Sequence, residues 1–165
     1  MDFLIRPYQP SDAPAVREII NDSILHTSHN YDYHPKSLEE VELLFSEKIL
    51  DGFPVLVGEV HGEVLGYATY GKFRAKPGYS KTLEHSIYLN EKAQGKGLGS
   101  EMMRQLIELA KAQGYHMMIA GMDSENVGSY RFHERLGFRE TARMPEVSFK
   151  FGKWLTLVFM QLKLS

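Results

Sequence analysis

The segment "NEKAQGKGLGSEMM", residues 90–103, places three glycines at alternate positions immediately before a helical pattern. The first turn of a helix has backbone N–H groups without partners inside the helix, and the positive end of the helix dipole lies there. Glycines let a ligand approach such a turn closely, so the segment predicts a loop that binds a phosphate. An ordinary tight turn between a strand and a helix would carry the same glycines, and this alternative stays open.

The spacing of this segment excludes two common phosphate-binding loops. A Walker A motif needs Ser or Thr after its Gly-Lys pair, whereas Gly97 follows Lys96. The dinucleotide fingerprint needs G-x-G-x-x-G, whereas this chain has G-x-G-x-G. A pyrophosphate bound here is therefore expected to belong to another cofactor.

Periodicity on both sides of the loop predicts one mixed α/β domain over residues 1–165. Ser37 and Glu40 form a capping box that starts a helix, and Gly62 lies at the turn between two β-rich runs. In the strand that precedes the loop, Glu84 and Tyr88 share one face. The predicted order is a strand, two helices, three strands, a helix, a strand, a helix and two strands.

Composition excludes several classes of function. The formal charge of −2 argues against nucleic acid, and the absence of cysteine excludes disulfides and thiolate zinc sites. His26, His29 and His34 lie close in sequence but lack carboxylates at ligand spacing, so no metal is expected. The chain has neither a secretory leader nor a run of eighteen apolar residues, which predicts a cytoplasmic protein that does not associate with membranes.

The stretch "QGKGLG" matches the Q/R-x-x-G-x-G/A signature and resembles the GNAT superfamily of N-acetyltransferases, whose loop binds the pyrophosphate of acetyl-CoA. "LEHSIYLNEKAQGKGLGS", "NVGSYRFHERLGF" and "FKFGKWLTLVFMQ" resemble its phosphinothricin acetyltransferase branch. The resemblance implies a mostly antiparallel mixed sheet of about seven strands flanked by about four helices. It also implies these contacts to acetyl-CoA: Ile87, Tyr88, Leu89, Gln94, Gly95, Lys96, Gly97, Leu98, Gly99, Ser100, Asn126 and Ser129.

Two residues are candidates for proton transfer. The amine that accepts the acetyl group must be neutral, yet an α-amine has a pKa of about 8 and is mostly protonated at neutral pH. Glu84 resembles the glutamate proposed as the base of this family, although a solvated strand carboxylate is the plainer alternative. His133 takes a position that is tyrosine in many members, and the resemblance implies that it relays a proton or contacts the cofactor sulfur. A histidine that only packs in its helix is the alternative.

The resemblance implies a small amino-acid-like amine as substrate, such as phosphinothricin, methionine sulfoximine or methionine sulfone, acetylated directly in a ternary complex. Arg74 and Lys76 would hold its carboxylate or phosphinate, unless they are ordinary surface cations. Tyr31 would supply the aromatic contact in a loop, "NYDYHP", that departs from the branch. A peptide or protein N-acetyltransferase and a non-enzymatic acyl-CoA sensor stay open. The branch further implies a homodimer, which the apolar closing strand "WLTLVFMQLKL" allows.

Overall fold

The computed structural model describes residues 2–165. Its strands form a single seven-stranded sheet. The spatial order of the strands is β1-β2-β3-β4-β5-β7-β6. Only β4 and β5 run parallel; all other neighbours are antiparallel, which confirms the expected mixed and mostly antiparallel sheet. The strands are β1 (Leu4–Pro7), β2 (Val55–Val60), β3 (Glu63–Lys72), β4 (Thr82–Leu89), β5 (Met117–Asp123), β6 (Arg139–Lys150) and β7 (Lys153–Lys163).

Four helices accompany the sheet, in the order that the sequence predicts. Their starts follow local chemistry: Ser37 accepts a hydrogen bond from the backbone N–H of Glu40, and Glu40 returns one to Ser37. Gly114 and Gly137, with positive φ angles of 84° and 98°, end two of the helices. The helices are α1 (Ala13–His26), α2 (Leu38–Leu50), α3 (Leu98–Ala112) and α4 (Val127–Arg135). No helix within residues 2–165 has the length and apolar character needed to cross a membrane.

The helices pack on both faces of the sheet because β2 alternates its side chains. Val55 and Val57 face a core formed with α1 and α2, whereas Leu56 faces the core formed with α3. Two glycines in the sheet leave room for side chains of α3 and of the end of β4. A Cβ atom at Gly58 would lie 2.7 Å from Leu98, and one at Gly66 would lie 2.5 Å from Leu89.

The two central strands separate part of the way along their length. β4 and β5 are bridged at only three positions, the last of which joins Glu84 to Ile119. Beyond that bridge β4 continues to Leu89 and β5 to Asp123 without pairing to each other. The divergence opens a cleft in the middle of the sheet, with Glu84 at its apex and the glycine segment just beyond the end of β4.

Candidate functional site

The glycine loop has the geometry of a phosphate-binding turn. Gly97 precedes α3 with a φ angle of +87°, and Gly95 has a φ angle of +74°. These left-handed conformations favour glycine, and no atom lies within 4 Å of where either Cβ would stand. Backbone N–H groups at the start of α3 therefore lie below open space, which fits a pyrophosphate.

The cofactor residues predicted around this loop divide into two groups. The exposed turn comprises Gln94, Gly95, Lys96 and Gly97, and Ser100 is half-buried in the first turn of α3. Leu98 and Gly99 are buried, and Gly99 packs toward Leu89 and Phe132. Only the backbone of these two residues is therefore available to a cofactor.

Glu84 faces a pocket of about 250 Å³ on the α1 and α2 side of the cleft apex. Burial raises the pKa of the Glu84 carboxyl, and the positive charge of Arg74 partly offsets that rise. A Cβ at Gly121 would lie 3.1 Å from Glu84 Oε2, so the missing side chain leaves room for the carboxylate. The pocket is lined by His29, Asn30, Tyr31, Glu84, Tyr88, Gly121, Met122, Asp123, Leu157 and Phe159.

His133 does not line this pocket; its side chain is buried between α4 and β4. Its Nδ1 lies 2.8 Å from the carbonyl oxygen of Ser129, and its Nε2 lies 2.9 Å from Nε2 of His85. A carbonyl only accepts hydrogen bonds, so Nδ1 of His133 donates and Nε2 accepts from His85 in the neutral pair. Burial lowers the pKa of both histidines, which keeps both rings neutral at pH 7. Strand periodicity puts His85 on the face opposite to Glu84, but nothing in the sequence indicated this pairing.

Asn126 and Ser129 lie at the start of α4, next to His133 in the helix. Asn126 Oδ1 accepts from the backbone N–H of Ser129 at 3.1 Å and caps the helix. The Ser129 hydroxyl lies 3.3 Å from His133 Nδ1. Of the predicted β4 contacts, Tyr88 lines the pocket, whereas Ile87 and Leu89 pack against the core under α3.

The structure places Tyr31 in the pocket, where it forms a hydrogen bond with Asp123, a residue distant in the sequence. Its hydroxyl donates to Asp123 Oδ1 at 2.8 Å, a contact between residues 92 positions apart. Burial and the Asp123 carboxylate raise the pKa of the Tyr31 hydroxyl. Asp123 itself was not predicted, because a single Asp at a strand end carries no motif.

The two predicted substrate cations lie differently. Arg74 follows β3, its guanidinium lies over the Phe73 ring at 4.8 Å, and its charge reaches Glu84. Lys76 is exposed on the connection to β4 and does not line the pocket.

A buried lysine that the sequence did not single out holds the pocket loop. Lys150, only 4% exposed, donates from Nζ to the carbonyl oxygens of Thr27, at 2.8 Å, and of Asn30. The loop from Thr27 to Tyr31 is thus held by Lys150, at Thr27 and Asn30, and by the hydrogen bond from Tyr31 to Asp123. Within residues 2–165, no three His, Cys, Asp or Glu side chains cluster in a way that could hold a metal ion.

Comparison with known proteins finds a family model, related sequences and solved structures that match most of this chain. Residues 16–138 match the model of the acetyltransferase (GNAT) family. An L-methionine sulfoximine/L-methionine sulfone acetyltransferase of Salmonella typhimurium is 42% identical over 160 residues, covering 97% of this chain and 94% of that protein. A phosphinothricin N-acetyltransferase of Streptomyces viridochromogenes is 33% identical over 158 residues, covering 95% and 85% of the two chains. The crystal structure of a GNAT superfamily phosphinothricin acetyltransferase from Sinorhizobium meliloti in complex with acetyl-CoA is 34% identical, with a TM-score of 0.96 over 100% of this chain and 90% of that one.

Proposed function

This chain belongs to the acetyltransferase (GNAT) family, and we propose that it acetylates methionine sulfone, methionine sulfoximine or a similar small amino acid from acetyl-CoA. The observation that carries the proposal is the position of Glu84, at the apex of the cleft and inside a pocket of amino-acid size. The higher identity to the sulfoximine and sulfone enzyme than to the phosphinothricin enzyme supports this substrate class.

We propose that the glycine loop and the unpaired edge of β4 hold acetyl-CoA. Backbone N–H groups of residues 94–100 would bind the pyrophosphate, and the β4 edge at residues 87–89 would bind the pantetheine arm. When bound, acetyl-CoA supplies an activated acetyl group as a thioester. Backbone N–H groups of the same edge would stabilise the negative charge that develops on the thioester oxygen.

Glu84 is the proposed general base. Burial raises its pKa toward neutral pH, the range in which a general base works best. Glu84 accepts one proton from the substrate ammonium, the freed electron pair forms the N–C bond, and the C–S bond breaks. A second amine proton neutralises the departing thiolate. His133, with both ring nitrogens engaged, instead supports the start of α4, where Asn126 and Ser129 would contact the pantetheine arm.

The test of this function is steady-state turnover of acetyl-CoA against a panel of amines. The panel holds methionine sulfone, methionine sulfoximine, phosphinothricin, unmodified methionine and short peptides with free N-termini. We expect the highest kcat/KM with the sulfone or sulfoximine, because the pocket of about 250 Å³ is of a size to hold one small amino acid. Highest turnover with peptides would establish the peptide acetyltransferase instead. Acetyl-CoA binding without turnover of any amine would establish the sensor.

We further propose that residues 1–165 work as one domain and that the chain is a homodimer. The buried side chains of β7, such as Val158, belong to the core of the chain itself, so the strand interior is not free for a partner. The end of the β6–β7 hairpin instead exposes Val147, Phe149, Phe151 and Trp154. Light scattering at tens of micromolar should give a dimer mass for the parent and a monomer mass for Phe151→Asp; a monomeric parent overturns the dimer.

A further inference from the structure

We propose that Asp123 is the residue that binds the substrate ammonium, while Glu84 removes its proton. The assignment deepens the proposed function and rests on it, because it names the group that recognises the amine in the same pocket. It gives the two carboxylates of the pocket separate tasks.

Asp123 is a buried carboxylate with incomplete partners. It is 2% exposed at the end of β5. Its Oδ1 accepts from the Tyr31 hydroxyl at 2.8 Å, and its Oδ2 accepts from the backbone N–H of Glu125 at 3.0 Å. Both donors are neutral, whereas an ionised carboxylate has about four acceptor positions. Burying such a charge is costly unless it is paired, so Asp123 is suited to a cationic partner.

No protein cation within residues 2–165 takes that place. Lys153, whose charge interacts with that of Asp123, is exposed and donates instead to Glu125 Oε2 at 2.7 Å. His29 lines the pocket, and the charge of Asp123 raises its pKa, but burial lowers that pKa by more. The cation is therefore expected to come from the ligand.

The two carboxylates face one space. Glu84 Oε2 lies above Gly121, and Asp123 is two residues further along the same strand. Alternate residues of a strand point to the same face, about 7 Å apart along the backbone. An ammonium carries three donors, so it can bond Asp123 with one and Glu84 with another. After Glu84 takes a proton, a remaining N–H still donates to Asp123 and keeps the amine oriented.

The remaining lining of the pocket fits the rest of an amino acid. Tyr88, Leu157 and Phe159 surround the carboxylates with apolar surface. The guanidinium of Arg74, which does not line the pocket but whose charge reaches Glu84, would bind the substrate carboxylate. Two carboxylates inside and one guanidinium at the edge complement a zwitterion.

The test compares two ligands that differ only in the amine. Binding of L-methionine sulfone and of 4-methylsulfonylbutanoate, which lacks the amine, is measured by calorimetry with CoA present. Asp123→Asn should weaken binding of L-methionine sulfone about tenfold or more, as expected for a lost charged hydrogen bond, and leave binding of the other ligand unchanged. Asp123→Ser should give the same pattern if the asparagine variant folds poorly.

The matched control is Tyr31→Phe, which removes the hydroxyl that binds Asp123 and leaves the carboxylate. We expect it to change both ligands by the same small factor, because it acts through the loop. Equal losses for both ligands in the Asp123 variants would overturn the assignment and leave Asp123 with a purely structural role. A parent that turns over no amine of the panel overturns the proposed function itself. A parent that is active while Asp123→Asn binds both ligands normally overturns only this assignment.

Discussion

The glycine loop after β4 and the pocket around Glu84 are the two parts of the proposed active site, yet they are built in opposite ways. The loop is one continuous segment, residues 94–100, and it offers backbone N–H groups. The pocket takes side chains from four separate segments, and the bond from Tyr31 to Asp123 spans 92 positions. A site made of backbone depends on local conformation. A site made of side chains depends on how distant segments pack.

The largest effect is expected on the side-chain site. Glu84→Gln preserves volume but removes the proton acceptor, so kcat should fall roughly a hundred to ten thousand fold. The loss should shrink as pH rises toward the pKa of the amine, because more substrate then arrives neutral. Full pH profiles of kcat, with acetyl-CoA affinity as the control, measure this. Parent-like kcat from pH 6 to 9 would remove Glu84 from the role of base. His133→Asn, in contrast, should give a defect that persists at high pH.

The backbone site should respond to bulk rather than to charge. Gly97→Trp fills the open space above the loop, so affinity for acetyl-CoA should fall at least about tenfold by calorimetry. Gly52→Trp is the matched control, because Gly52 has the same φ angle of +87° and equally open surroundings at the end of α2. Both variants carry the same backbone strain. Equal acetyl-CoA affinity in the two variants would show that the loop is only a turn.

A smaller effect tests the link between the pocket and its edge. Arg74 lowers the pKa of Glu84 against the rise caused by burial. Arg74→Met should therefore raise that pKa further and move the acid limb of kcat/KM to higher pH. Lys76→Met is the control and should leave the limb in place, since Arg74, not Lys76, shifts the pKa of Glu84. A limb that moves to lower pH, or moves equally in both variants, would contradict this electrostatic link.

The smallest effect concerns the histidine pair on the cofactor side. Burial lowers the pKa of His85 in the folded state, so its contribution to stability is present above the unfolded pKa of about 6.5 and is lost as pH falls. Between pH 7.5 and 5.5 the parent should lose stability, because the unfolded chain takes up a proton that the buried His85 does not. His85→Leu should show a shallower loss by urea unfolding, and His116→Leu, at an exposed position just before β5, is the control. An unchanged slope in His85→Leu would mean that the pair is protonated in the folded chain.

Where prediction from sequence succeeded, the signal was local. The capping box at Ser37 and Glu40, the turn at Gly62 and the glycine turn before α3 each depend on residues a few positions apart. The face shared by Glu84 and Tyr88 follows from strand periodicity, and both line one pocket. Neither Arg74 nor Lys76 lines the pocket, and only the charge of Arg74 acts on Glu84, because an irregular connection has no period that would orient both side chains alike.

The sequence by itself determined the order of the elements, the place of the glycine loop and the family, because each follows from residues that are close together in the chain. Tertiary structure alone decided which side chains meet. Placing β5 between β4 and β7 brings Asp123 to Tyr31, and packing α4 on the sheet turns His133 toward His85 and away from the pocket. It also directs Lys150 to the carbonyl of Thr27. These contacts join segments separated by 48 to 123 positions, and no short-range pattern encodes a distance that only the packed core brings together.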